Sequence, residues 1–249
     1  MDFNKKPILG MLHMYGRENA TNIMDDELTI FEEEGVDGYI IENYGGGIEE
    51  VRKGLQMIHE FEKFDSMYKG INILPNNFEL AYALAATYKL DFIQLDYIAG
   101  TYENNRYPKQ PIKLDIDNFQ RFRDRFPEIK VLGGVHPKYY EPVAGSNFMV
   151  DLEEAQYLCD AIVVTGAGTG KQTPLDKIKD FKKFSGNHLP VIIGAGLDEF
   201  NVEEQLVHAD GGIIGSYLKT NGQATGKVEK NRVRDFMAKV NRHRVNTML

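Results

Sequence analysis

Short apolar runs of β type recur along the 249-residue chain. They are Pro7–His13 (PILGMLH), Asp37–Asn43 (DGYIIEN), Gly70–Leu74 (GINIL), Asp91–Tyr97 (DFIQLDY), Ile129–Val135 (IKVLGGV), Asp160–Gly166 (DAIVVTG), Pro190–Gly196 (PVIIGAG) and Asp210–Ser216 (DGGIIGS). Most are near-continuous in Ile, Val and Leu, the pattern of strands buried on both faces in a parallel sheet. Helical spacing fills the intervals. Met24–Glu34 puts Met24, Leu28, Ile30 and Phe31 on one face, and Ile48–Phe64 repeats Val51, Leu55, Ile58 and Phe61, a series expected in the core. Phe78–Tyr88, Ile116–Phe126, Leu175–Phe184 and Val202–His208 follow, the last with Asn201 and Glu204 spaced as a capping box. A basic C-terminal helix over about 229–246 buries Val233, Phe236, Met237 and Val240.

No Pro/Ser-rich hinge or low-complexity tract interrupts this alternation, so residues 1–249 read as a single domain. Eight strand runs, each followed by a helix-compatible segment, fit an α/β fold of the (β/α)8 TIM-barrel type better than an open sheet, whose edge strands would be more polar. Composition agrees with a chain that folds on its own core: 42% of residues are hydrophobic and 27% charged. Cys159 is the single cysteine, so no intramolecular disulfide forms, and its place just before the sixth run argues against a nucleophile. No signal-peptide pattern or long apolar window appears, so no integral membrane segment is expected and a cytoplasmic protein is the default.

In a barrel, ligands bind at the C-terminal ends of the strands. Glycines punctuate the last two runs there, and Gly194, Ala195, Gly196, Gly215 and Ser216 would let backbone N–H groups approach a phosphate. GAGTGK (Gly166–Lys171) is not a P-loop, because Thr165 and Gln172 break the motif; it reads as a mouth loop from which Lys171 reaches an anionic ligand. Glu42 and Asp96 end apolar runs, where loss of water would raise a carboxyl pKa toward acid/base use. His136, with Lys138 two residues on, is the stronger histidine candidate and His13 the weaker. Asn43, Asn72 and Thr165 complete the substrate-facing set. His59, His188, His208 and His243 are given no role.

No cofactor is expected. His13, Glu42, Asp96 and His136 leave a divalent metal open as an alternative, unsupported by any tight ligand motif. Two long connections, Ala99–Asp115 and Pro137–Phe148, would serve as lids or as contacts in a homo-oligomer, with Tyr102, Arg106, Tyr107, Lys109, Tyr139 and Tyr140 at their tips. The net charge is −8; residues 220–249 carry seven basic and two acidic side chains, leaving −13 on the rest. Such a body repels phosphate backbones, so nucleic acid is not an expected partner.

The motifs PILGMLHM, GVDGYIIENYG, GINILPNN, DFIQLDYIAG, VLGGVHPKYYEPV, DAIVVTGAGTGK, PVIIGAG and DGGIIGSYLK, in this order from about Pro7 to Val240, resemble the BtpA/SgcQ family. The resemblance implies a barrel of the ribulose-phosphate-binding type, with glycine-bearing strand ends at Gly194, Gly196, Gly215 and Ser216, a Glu-Asn pair at Glu42 and Asn43, and a His-x-Lys at His136 and Lys138. The chain departs from the family in LHMYGREN, which lacks a proline-rich stretch after the histidine, and in QLDY, where Arg and Asn are more typical. Asp96 is therefore a reading of this sequence alone. The leading expectation is an enzyme that binds a phosphorylated sugar or related metabolite, with Glu42, Asp96, His136 and Lys138 catalysing isomerisation, lyase chemistry or glycosidic cleavage. The alternatives are a non-catalytic biogenesis or assembly factor, which the BtpA name implies, and a metal-dependent hydrolase.

Overall fold

A computed structural model describes residues 1–14, 20–103 and 110–247. Arg106, Tyr107 and Lys109 of the first long connection lie outside the described residues. The strands are β1 (Ile8–His13), β2 (Gly38–Glu42), β3 (Tyr68–Asn72), β4 (Phe92–Leu95), β5 (Thr101–Tyr102), β6 (Ile112–Lys113), β7 (Lys130–Gly134), β8 (Ala161–Val164), β9 (Val191–Ile193) and β10 (Gly211–Ile214). The helices are α1 (Ala20–Glu33), α2 (Ile48–Glu60), α3 (Phe78–Tyr88), α4 (Ile116–Arg125), α5 (Phe148–Leu158), α6 (Leu175–Ser185), α7 (Val202–Leu206) and α8 (Lys230–Thr247).

Eight parallel strands close in the order β1-β2-β3-β4-β7-β8-β9-β10, with β10 returning to β1. All eight coincide with the apolar runs, so the (β/α)8 barrel read from the sequence is the fold. β5 and β6 form a separate antiparallel pair within the Ala99–Asp115 connection, which sequence pattern did not suggest.

Strand pleat divides the buried side chains into two cores. Leu9, Met11, Ile40, Phe92, Leu132, Val163, Ile192 and Ile213 fill the barrel interior. Ile8, Leu12, Tyr39, Ile41, Ile71, Val131, Ile193 and Ile214 face outward onto the helices. Close packing inside explains Gly70, where a Cβ would fall 2.1 Å from the Phe92 ring.

The N-terminal face carries a repeated clasp. The aspartate just before β2, β4, β8 and β10 in turn accepts an N–H from the start of the preceding strand: Asp37 from Ile8, Asp91 from Lys69, Asp160 from Val131 and Asp210 from Val191. Arg244, Arg123 and Lys182 pair with Asp37, Asp160 and Asp210 respectively. These bonds satisfy N–H donors at the strand starts with a charged acceptor.

Two helix expectations need correction. Phe61 is 67% exposed rather than in the core. α2 ends at Glu60, and Glu62 and Phe64 take left-handed backbone angles that turn the chain away. Asn201 precedes α7 but makes no cap bond. Its side chain instead accepts from the Asp198 N–H and donates to the Gly196 carbonyl, so it orders the loop after β9.

Candidate functional site

The inward-facing series of each barrel strand begins apolar and ends polar or as glycine. Leu9 and Met11 lead to His13, Ile40 to Glu42, Gly70 to Asn72, Phe92 to Gln94 and Asp96. Leu132 leads to Gly134, Ala161 and Val163 to Thr165, Ile192 to Gly194, and Ile213 to Gly215. The period of two therefore carries the polar ends to one place, the C-terminal mouth. A cavity of about 830 Å³ opens there.

Register sets the floor of that cavity. Glu42 pairs with Asn72 across β2 and β3, and Asn72 with Gln94 across β3 and β4. Asn72 is fully buried, and its Nδ2 donates to Glu42 Oε2 at 2.9 Å and to Asp96 Oδ1 at 3.3 Å. One amide thus bridges two carboxyls. Tyr140 OH donates to the other Asp96 oxygen at 3.0 Å. Burial first, and the Asp96 charge second, push the Glu42 carboxyl up to about 7; Lys138, the Asn72 hydrogen bond and Lys219 act in the opposite direction. Burial also raises Asp96, against the Asn72 and Tyr140 hydrogen bonds and the Lys138 charge. Glu42 can therefore give or take a proton near neutral pH.

His13 stands beside this pair, its Nε2 3.7 Å from Glu42 Oε1, with Tyr44 packed edge-on at 4.9 Å between ring centroids. On its other side Lys219 Nζ lies 2.6 Å from Nδ1. Lys138 lines the cavity, and its backbone N–H donates to Thr165 Oγ1 at 2.7 Å.

The opposite wall is backbone. Gly194, Ala195, Gly196, Gly215 and Ser216 all line the cavity. Gly196 has φ +71°, and a Cβ there would fall 2.2 Å from the Lys171 carbonyl, so the loop after β8 is pressed onto the end of β9. Thr173 Oγ1 reinforces that contact by donating to the Ala195 carbonyl. A Cβ on Gly215 would meet His13 Cε1 and Met11 Cβ at 3.1 Å, so a side chain there would crowd His13.

Several expected side chains do not reach the cavity. His136 turns outward: its φ of +45° breaks the strand direction just past Gly134. Its Nε2 lies 2.7 Å from Asp151 of α5, and its N–H donates to Tyr102 OH. Asn43 is spent on the backbone of Leu74, donating to its carbonyl and accepting from its N–H. The Lys171 side chain is exposed and absent from the lining. Tyr102 is buried rather than at a tip, its OH donating to the Ala99 carbonyl. Tyr139 and Tyr140 do line the cavity: Tyr139 is 67% exposed, with its OH accepting from the Thr169 N–H, while Tyr140 dips to Asp96. Because His136 faces α5, the four-residue metal set does not assemble; among the described residues no three His, Cys, Asp or Glu side chains converge on a metal position.

Sequence reasoning missed Lys219. Its signal was present, since DGGIIGSYLK carries a lysine just beyond the cavity-lining Gly215 and Ser216, but nothing local says that it folds back under the mouth. Sequence reasoning also missed Tyr44, which lines the cavity, whereas Gln94, likewise in the lining, is a strand-end residue that the barrel reading places at the mouth.

Solved structures share this architecture. A thiamine phosphate pyrophosphorylase from Pyrococcus furiosus superposes with TM-score 0.63 at 12% identity, covering 97% of this chain and 98% of that one. A phosphoribosyl anthranilate isomerase from Thermus thermophilus gives 0.61 at 15% identity, covering 95% and 98%. At such identities the likeness speaks for the fold alone. Sequence relatives include several that match over nearly the whole chain. An uncharacterized protein of Methanocaldococcus jannaschii is 29% identical, over 96% of this chain and 97% of its own. The photosystem I biogenesis protein BtpA of Synechocystis is 23% identical, over 93% and 86%. The model of the BtpA family matches residues 4–242, and the chain belongs to the BtpA family.

Proposed function

We propose that the chain is an enzyme that binds a phosphorylated sugar or related metabolite at the barrel mouth and transforms it by acid/base chemistry. The observation that carries this reading is the Glu42–Asn72–Asp96 cluster on the floor of a cavity whose far wall is glycine backbone. The phosphate rests on Gly194, Ala195, Gly196, Gly215 and Ser216. Glu42 and Asp96 move protons at the carbon framework, Glu42 being held near half-protonation at neutral pH. Lys138 stabilises the anion that develops when a proton leaves. His13 and Thr165 contact the substrate, while Asn72 holds the two carboxyls apart and in place. His136, Asn43 and Lys171 act only through the backbone and loops they support. Proton transfer of this kind serves isomerisation, carbon–carbon cleavage or glycosidic cleavage. The shared architecture with barrels named for phosphorylated substrates supports the phosphate half of the reading.

Calorimetric titration with inorganic phosphate and a panel of phosphosugars tests it. Binding by the wild type that is lost in Ser216→Asp, which sets a carboxylate on the phosphate wall, is the expected result. Absence of binding across the panel, or Ser216→Asp binding as the wild type does, overturns the phosphate site. With a ligand identified, Glu42→Gln is expected to retain binding and lose turnover.

A second reading, a non-catalytic assembly factor, is favoured by the outer face of α5, where Met149, Val150 and Tyr157 are exposed. The name of the Synechocystis relative points the same way. It predicts a co-purifying partner that Val150→Asp releases and Glu42→Gln leaves bound.

A further inference from the structure

We propose that Lys219 is a positioning residue of the cavity: it holds His13 as the neutral tautomer with its proton on Nε2, so that His13 presents an N–H donor toward Glu42 and the ligand. Lys219 is fully buried, 206 residues from His13 in sequence, on the segment that follows the Gly215–Ser216 wall. Its backbone is fixed by a bridge to Val228 and by its N–H donating to the Ser216 carbonyl. Its Nζ reaches His13 Nδ1 at 2.6 Å and the Ala224 carbonyl at 3.2 Å.

The chemistry of an ammonium that faces a ring nitrogen and a carbonyl decides the tautomer. A carbonyl oxygen only accepts, and an ammonium has three N–H donors and no lone pair. Lys219 therefore donates to both Ala224 and Nδ1, and Nδ1 is the ring's lone-pair nitrogen. The imidazole proton then sits on Nε2, the nitrogen that faces Glu42 Oε1 at 3.7 Å. A proton on Nδ1 as well would face the ammonium across 2.6 Å, so a ring that accepts from Lys219 carries its proton on Nε2 alone. The charged and titratable groups around it, among the described residues, are Glu42 from β2, Tyr44 from the loop after β2 and Lys219, with Asp96 and Lys138 beyond Glu42. A neutral histidine with Nε2–H aimed inward is a donor for an oxygen that gains charge, which leaves base chemistry to the carboxyls. This chemical role for His13 rests on the cavity being the active site proposed above.

Long-range proton–nitrogen correlation on the ¹⁵N-histidine-labelled full chain, without ligand, reads the tautomer directly. His13 signals are identified by their loss in His13→Gln. The expected result at about pH 8, above the range in which an ordinary histidine titrates, is an unprotonated Nδ1 and a protonated Nε2. In Lys219→Met, shown to be folded by circular dichroism, His13 is expected to lose the fixed tautomer and to populate protonated Nδ1 as well as protonated Nε2. A proton on Nδ1 in the wild type overturns the proposal, as does a Lys219→Met spectrum identical to the wild type. If Lys219→Met does not fold, the wild-type spectrum alone decides. Failure of the ligand reading would show separately, as absence of phosphate binding with the tautomer signature intact.

Discussion

Glu42→Gln is expected to stabilise the protein, and to do so only as pH rises. Glu42 is 7% exposed, and burial together with the Asp96 charge lifts its carboxyl from 4.5 to about 7. A tenfold change in an ionisation constant corresponds to about 1.4 kcal/mol, so ionising Glu42 in the folded state costs on the order of 3 kcal/mol relative to ionising it in the unfolded chain. Below the unfolded-state value both states carry the proton, and the cost is absent. Between the two values the unfolded chain has released its proton while the folded one keeps it, so stability falls as pH rises. Above the folded value the full cost is present. Glutamine keeps an acceptor for Asn72 Nδ2 and carries no charge to desolvate. Urea unfolding of both proteins at about pH 5, 6, 7 and 8 should give a stability difference that grows from roughly 1 kcal/mol to roughly 3 kcal/mol. In a chain of this size that is a Tm gain of roughly 6–12 °C at the alkaline end. A difference independent of pH, or one that grows toward acid, would refute the argument that a desolvated carboxylate is being held for chemistry at a cost to stability.

Cys159 is 3% exposed, its thiol donates to the Ala155 carbonyl, and burial pushes its pKa up to about 12. It should resist an aromatic disulfide reagent in the native state and react at once in denaturant; rapid native labelling would contradict the buried placement. Gly70→Ala forces a methyl to 2.1 Å from the Phe92 ring and should lose about 1–3 kcal/mol in urea unfolding. Phe61→Ala should stay within about 0.5 kcal/mol of wild type, whereas Leu55→Ala, on the buried face of α2, should lose about 2–5 kcal/mol. Asp91→Ala removes the acceptor for the Lys69 N–H, a bond that water can replace, and should cost about 0.5–1.5 kcal/mol, with any ligand binding at the opposite face unchanged.

The barrel was legible because its signal is local. Ile/Val/Leu runs of strand length, spaced by helical repeats, can bury both faces only in a parallel sheet, and eight of them close on themselves. Glycine at Gly194, Gly196 and Gly215 was legible for the same reason, since each lies at or just past the end of an apolar run. Phe61 misled because helical spacing continues past the point where left-handed angles at Glu62 and Phe64 end the helix. Sequence alone favoured His136 over His13, but of the two only His13 lines the cavity. His13 lies at the end of β1, in line with inward Leu9 and Met11, and follows the pleat into the cavity. His136 lies two residues beyond β7 with positive φ, so the pleat no longer governs where it points.

By itself, then, the amino-acid order determined which segments are strands, that their C-terminal ends carry the polar and glycine residues, and that Glu42 and Asp96 lose water there. Those properties depend on residues a few positions apart. The tertiary structure alone decided that Asn72 bridges the two carboxyls, because that requires the β2–β3–β4 register. It alone turned His136 to Asp151, closed Tyr140 onto Asp96, and brought Lys219 to His13. That last contact exists because barrel closure sets β10 beside β1, joining the first strand and the last around one polar floor.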